Sequence, residues 1–259
     1  MGYEVVTSSR SRRDMGWFDP TPGGRGWTDA ESALARHPEL APIIRQVGPC
    51  TLQPRRDHFV VLLRSVFSQQ LATATAHTLF ERFRDLFPLR RPTPARVHAA
   101  LSGQVDRRTL EHCGLSRQKR RYVLDLSAHY LDGRIRSRRL RHASDEEVIE
   151  ILTRVRGIGV WTAQMFMLFA MARADVWPVL DLGLQKGLQR CFGLPDRPDS
   201  REAAGLGERF RPWRSVATWY LWRSATLPPA PVRTCDERTK FRNCGKDRDP
   251  APSNKDPGV

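Results

Sequence analysis

From Thr28 to Ser224 the apolar residues recur every three or four positions, segment after segment. That period buries one stripe of a helix, and no stretch carries the period-two alternation of a half-buried strand. The expected fold class is therefore all-α, without internal repeats. Thr28-Asp29-Ala30-Glu31 signals a short first helix with a cap, and Pro38 and Pro42 punctuate the next. Asp57 precedes a longer helix whose buried face is Phe59, Leu62, Leu63, Val66 and Phe67. After Ser68-Gln69-Gln70-Leu71, residues Ala72 to Phe87 continue as helix with Leu79, Phe80 and Phe83 inward. Further helices are expected over about 94–102, 107–112, 116–131 and 200–209, and from Pro212 to Ser224.

The densest information lies between Ser144 and Gly187. Ser144 and Glu147 form a capping box, and Val148, Ile151, Leu152 and Val155 make one apolar face. Arg156-Gly157-Ile158-Gly159 interrupts the pattern, and apolar spacing resumes from Val160 to Arg173 through Trp161, Met165, Leu168 and Ala172. Two helices joined by a glycine hairpin are expected over about 147–173. The second helix would start with free backbone N–H groups and the positive end of a dipole, which together favour a phosphate. An ordinary helical turn has the same local pattern. Downstream, Asp181 in WPVLDLGLQKG is a good N-cap for a following helix, and a cap carboxylate beside a phosphate grip also holds negative charge facing a sugar.

Composition narrows the partner. The chain has 259 residues, 40% of them hydrophobic, enough for a real core. Its formal charge is +15 and its basic residues are overwhelmingly Arg, whose guanidinium suits phosphate geometry. A polyanion, nucleic acid above all, is the expected partner. No apolar run is long enough to span a bilayer and the N-terminus has no apolar signal region, so no membrane association is expected and the location should be intracellular, cytoplasmic or nucleoid-associated, or nuclear in a eukaryote. Cys50, Cys113, Cys191, Cys235 and Cys244 are scattered with no CxxC pair, which argues against disulfides, zinc and an iron–sulfur cluster. His58, His77, His112 and His129 form no convincing metal or acid–base pair.

Four motifs occur in order: FSQQLATATA near residue 70, CGLSRQKRRYVLDL near 115, VRGIGVWTAQMF followed by Asp181, and RPWRSVATWYLW near 213. Together they resemble the helix-hairpin-helix (HhH-GPD) DNA glycosylases, with 3-methyladenine DNA glycosylase II as the most similar subgroup. The resemblance spans about Asp29 to Ser224. It implies a two-lobed helical fold that binds duplex DNA as a monomer, flips a damaged nucleotide and cleaves its N-glycosidic bond. The expected organisation is a flexible segment over 1–28, a glycosylase domain over 29–228 and a flexible tail over 229–259, without the mixed α/β domain that enterobacterial-type members carry.

Carried over by position, Asp181 matches the family's essential aspartate. Trp161 stands where glycosylases that are also lyases hold a Schiff-base lysine, which implies a monofunctional enzyme with water as the group that attacks the sugar. Trp161 and Trp222 match pocket tryptophans suited to a cationic alkylated purine, though core packing would account for either alone. Met165 replaces a pocket tyrosine of related enzymes, which opens the lesion range. Gln70 matches the residue that fills the gap left by a flipped base, or is a solvated turn glutamine. The amides of Gly157 and Gly159 and the neighbouring Thr162 match a phosphate grip. Backbone carbonyls of Thr153, Val155 and Ile158 match the ligands of a structural Na+ or K+; no other cofactor is expected. The expected substrates are 3-methyladenine and 7-methylguanine. A glycosylase for another lesion and a noncatalytic DNA-binding module are the competing readings.

Overall fold

In a computed structural model, which describes residues 26–225 and 227, thirteen α-helices succeed one another and no strand occurs among those residues. They are α1 (Thr28–Leu34), α2 (Ala41–Val47), α3 (His58–Ser68), α4 (Thr73–Asp85), α5 (Pro94–Ala99), α6 (Arg107–His112), α7 (Arg117–Leu131), α8 (Ser137–His142), α9 (Asp145–Thr153), α10 (Val160–Phe169), α11 (Leu182–Phe192), α12 (Ser200–Gly207) and α13 (Arg214–Ser224). The expectations for residues 1–25 and 228–259, Cys235 and Cys244 included, lie outside the described residues.

The helices gather around two central ones. One group packs α3 and α5 on α7, with α4 on α3; the other packs α1, α2 and α11 on α13. These are the two lobes the sequence leads one to expect, and they share one continuous apolar core. The α9–α10 hairpin joins the first group through α10 against α3. In that group Phe67 meets Phe80 edge-on at 5.3 Å, and Phe83 packs against both Phe67 and Phe87.

Capping explains most of the helix starts. Side chains of Asp57, Thr93, Asp106, Ser116, Ser144, Asp181 and Asp199 each accept a first-turn amide. The Ser144 box closes both ways: Ser144 Oγ accepts from Glu147 N at 3.2 Å, and Glu147 Oε2 accepts from Ser144 N at 2.8 Å.

Two expectations need correction, and one helix went unexpected. Helix α1 has Trp27 at its N-cap and no side-chain cap, because Glu31 is drawn elsewhere: its Oε1 accepts from Cys50 N at 2.5 Å and Tyr220 Oη at 3.2 Å. That clip ties α1 to the start of the α2–α3 connection and to α13. The hexamer α8, SRRLRH, has a single buried residue, Leu140, too little to give an apolar period. Finally, α10 ends at Phe169 rather than Arg173, and Ala172 takes a left-handed φ of 50°. Its buried face is Thr162, Ala163 and the run Phe166 to Phe169, while Trp161 is 43% exposed and Met165 half-buried. A helix apolar nearly all round has no unique stripe, so periodicity alone does not say which of its residues are buried.

Candidate active site and nucleic-acid interface

The glycine hairpin is held from two sides. From α7, Asp125 Oδ2 accepts the Arg156 amide at 2.8 Å, and the ring of Tyr122 lies under Gly157. A Cβ on Gly157 would fall 2.3 Å from Tyr122 Cδ2, and its φ is +81°. Only glycine tolerates both conditions. From the α3–α4 connection, Gln69 Nε2 donates to the Gly157 carbonyl at 2.7 Å. Sequence reasoning missed Gln69 and Tyr122, whose roles exist only through contacts far along the chain.

Gly159 differs. Its φ is −94° and a Cβ there would meet nothing within 4 Å, so no neighbour in the chain requires glycine. The amides of Gly157, Gly159, Val160, Trp161 and Thr162 have no acceptor among the described residues. They face the α10 N-terminus as free donors, the arrangement that receives a phosphate. Thr162 as a whole is buried, at 6% exposure. At the same turn, the Thr153 and Ile158 carbonyls have no backbone donor among the described residues, and the Val155 carbonyl accepts from Ile158 N at 3.1 Å. Uncharged oxygen donors of this kind fit a hard monovalent cation.

Gln70, next to Gln69, is exposed and has a left-handed φ of 60°. Asn tolerates that region better than Gln, so the loop around it carries backbone strain. Exposed Leu71 follows it.

Across from the hairpin, Asp181 caps α11: its Oδ1 accepts Leu184 N at 2.7 Å. The N-cap expected of Asp181 is in place. The same Oδ1 accepts Trp222 Nε1 from α13 at 2.7 Å, and Oδ2 accepts Trp161 Nε1 from α10 at 3.0 Å. Three N–H donors from three helices thus converge on a carboxylate that is only 8% exposed. Hydrogen bonds to a charged group are worth ~1.5–3 kcal/mol each and offset the cost of burying it. Trp222 stacks on Phe169, centroids 5.1 Å apart and planes 22° apart, which fixes its ring. Gly183 leaves room for this arrangement: a Cβ there would lie 2.9 Å from Trp222 Nε1 and 3.0 Å from Asp181 Oδ1. Leu180 and Leu182, on either side of Asp181, are exposed, as is Val160 beside Trp161. A buried anion rimmed by aromatic and apolar surface is a place to stabilise positive charge away from water. His77 and His112 are exposed, whereas His58 is buried against Phe166 of α10 and His129 is buried with Nδ1 2.9 Å from the Asp125 carbonyl and 3.7 Å from Asp125 Oδ2.

The family model for the HhH-GPD superfamily of base excision DNA repair proteins matches residues 63–212, from α3 through the hairpin and the Asp181 cap. The chain belongs to the HhH-GPD superfamily. Among its relatives, the alkylbase DNA glycosidase-like protein mag2 of Schizosaccharomyces pombe is 30% identical over 194 residues, covering 71% of this chain and 87% of that protein. DNA-3-methyladenine glycosylase 1 of the same yeast is 30% identical over 190 residues, 73% of this chain and 81% of its own. The solved structure of an S. pombe 3-methyladenine DNA glycosylase in complex with abasic DNA superposes with a TM-score of 0.69 at 29% identity, covering 78% of this chain and 99% of that one. No helix among the described residues is long and apolar enough to cross a membrane.

Proposed function

We propose that this base excision repair protein is a monofunctional DNA glycosylase that releases alkylated purines, chiefly 3-methyladenine and 7-methylguanine, from duplex DNA. The observation that carries the reading is the Asp181 carboxylate, gripped by two indole N–H groups beside a hairpin of free amides. The names of its relatives, alkylbase and 3-methyladenine glycosylases, support the same lesion class.

The chemistry follows from charge. Alkylation at N3 or N7 makes the base cationic, so it leaves with the electrons of its glycosidic bond as a neutral molecule and needs little acid help. The sugar left behind carries positive charge at C1′, and Asp181 stabilises it electrostatically. Water adds to C1′ and gives up a proton to solvent, which completes hydrolysis. With an indole at Trp161 where lyases hold an amine, no covalent sugar adduct forms there and the strand stays intact. Aromatic faces of Trp161 and Trp222 favour a cationic base over its neutral parent, and Met165 gives the pocket a pliable wall. The amides of Gly157, Gly159 and Thr162 hold the flanking phosphate, and Gln70 fills the vacated stack. A Na+ or K+ held by the carbonyls of Thr153, Val155 and Ile158 would add positive charge next to that phosphate. The protein acts as a monomer inside the cell.

The test is base release from a panel of damaged duplexes, with and without hot-alkali strand cleavage. Alkylated duplex should yield free base, and strand breaks only after alkali. Asp181→Asn should bind as the wild type does and lose about 10²–10³-fold or more in release rate. Release at the wild-type rate would remove Asp181 from the mechanism, and no release from any duplex would favour a noncatalytic binding module.

A further inference from the structure

Helix α7 touches the hairpin with one face and leaves another open. Gln118, Tyr122 and Asp125 fall at i, i+4 and i+7; Gln118 Nε2 donates to Tyr122 Oη at 2.5 Å, Tyr122 lies under Gly157, and Asp125 holds the Arg156 amide. Arg117, Arg121 and Leu124 repeat that spacing one residue earlier, so they lie about 100° round the same helix. On the opposite side of the hairpin-facing stripe from these arginines, Lys119 Nζ donates to the Phe67 carbonyl at 2.7 Å, at the end of α3 that leads into Gln69 and Gln70. The first turns of α7 are therefore anchored to the end of α3 through Lys119 and to the hairpin through Tyr122 and Asp125, and the Arg117 face lies beside the hairpin-facing stripe, on the side away from Lys119.

That face is one wall of a groove of about 510 Å³ between α7, α6 and the turn that follows α5. Leu101, Val105, Leu110 and Leu124 make its floor, and Arg107, Arg117, Arg120 and Arg121 line it. An apolar floor under arginines supports their aliphatic stems and leaves the guanidiniums at the rim. Two acids counter two of the four charges. Asp106 lines the groove as well, with its carboxylate engaged in capping α6 through Thr109 N at 3.0 Å and Thr109 Oγ1 at 2.6 Å. Glu111 pairs with Arg107 at 2.7 Å and Arg120 at 3.6 Å. Arg117 and Arg121 are exposed and have no ion-pair partner among the described residues. Guanidiniums without an ion-pair partner, on the same helix that braces the hairpin, match a second stretch of polyanion backbone.

We propose that this groove is an accessory DNA-backbone site, in which Arg117 and Arg121 contact phosphates of the duplex flanking the nucleotide held at the hairpin. The site adds affinity and registers the duplex on the enzyme without reading sequence. It rests on the glycosylase reading only for its partner, duplex DNA.

The experiment measures equilibrium binding of the full chain to an undamaged duplex at a series of KCl concentrations, for the wild type, R117Q/R121Q and R117K/R121K. Two lost phosphate contacts should lower the slope of log affinity against log salt by about 1.8, so the wild type loses about twelvefold more affinity than R117Q/R121Q between 50 and 200 mM salt. The lysine pair keeps the charges and should retain most of the wild-type slope. Equal melting temperatures exclude unfolding as the cause. An unchanged slope in R117Q/R121Q, with a salt-dependent wild type, would overturn the proposal and assign the groove to another ligand such as an acidic protein segment. A lysine pair behaving like the glutamine pair would overturn the charge-contact account. Base release is not part of this readout, so a wild type that binds DNA but releases no base would defeat the glycosylase reading alone.

Discussion

Asp181 caps α11 with the same oxygen that accepts the Trp222 indole, leaving Oδ2 to the Trp161 indole. Both tryptophans therefore position the carboxylate as well as offering aromatic surface. Trp161→Phe keeps a ring and removes the donor, so base release should fall about tenfold or more while affinity for a cationic base changes less. Comparing single-turnover rate with product-base inhibition separates the two. The hairpin glycines divide in the same way. Gly157→Ala forces a Cβ to 2.3 Å from the Tyr122 ring at a φ of +81°, and should cost on the order of 1–3 kcal/mol in urea unfolding from backbone strain alone, plus the clash. Gly159→Ala meets open space, so its unfolding curve should match the wild type while DNA affinity falls. The glycine doublet is plain in the sequence. That only the first is demanded by the fold is decided by Tyr122, 35 positions upstream.

At the level of elements, the hairpin gains its position from α7 and from the α3–α4 connection. Gln69→Ala removes the 2.7 Å bond to the Gly157 carbonyl and should destabilise the protein by about 1 kcal/mol. Because the same connection carries Gln70, DNA affinity should fall severalfold in a fluorescence titration, more than the stability loss explains. Helices with strong caps, such as α9 with its Ser144 box and α7 behind Ser116, are legible residue by residue, since the cap is a local hydrogen bond. Helix α1 was misjudged at its start because a carboxylate that reads as local capping chemistry serves a distant tyrosine hydroxyl and the Cys50 amide. The buried face of α10 is not legible from periodicity because apolar residues surround the helix.

For the whole molecule, the hairpin helix is seated on a buried imidazole. His58, at the start of α3, meets Phe166 of α10 edge-on at 5.1 Å, and burial holds its pKa below the usual 6.5, with Arg141 acting in the same direction. Below pH 6.5 the unfolded chain takes up a proton that the folded His58 refuses, so folding stability should decline on acidification through that point. Urea unfolding at pH 7 and pH 5.5 should show a smaller decline for His58→Leu than for the wild type. What the sequence determined by itself was the helical class, most helix starts, the hairpin and the chemical types of Asp181, Trp161 and Trp222, because period, cap and turn are short-range properties of neighbouring residues. Tertiary structure decided which faces are buried, which glycine is indispensable, and that two indoles from α10 and α13 meet on one carboxylate at the head of α11. Those outcomes depend on how three helices distant in the chain pack, and a hydrogen bond between side chains 20 or 41 positions apart leaves no periodic trace in the sequence.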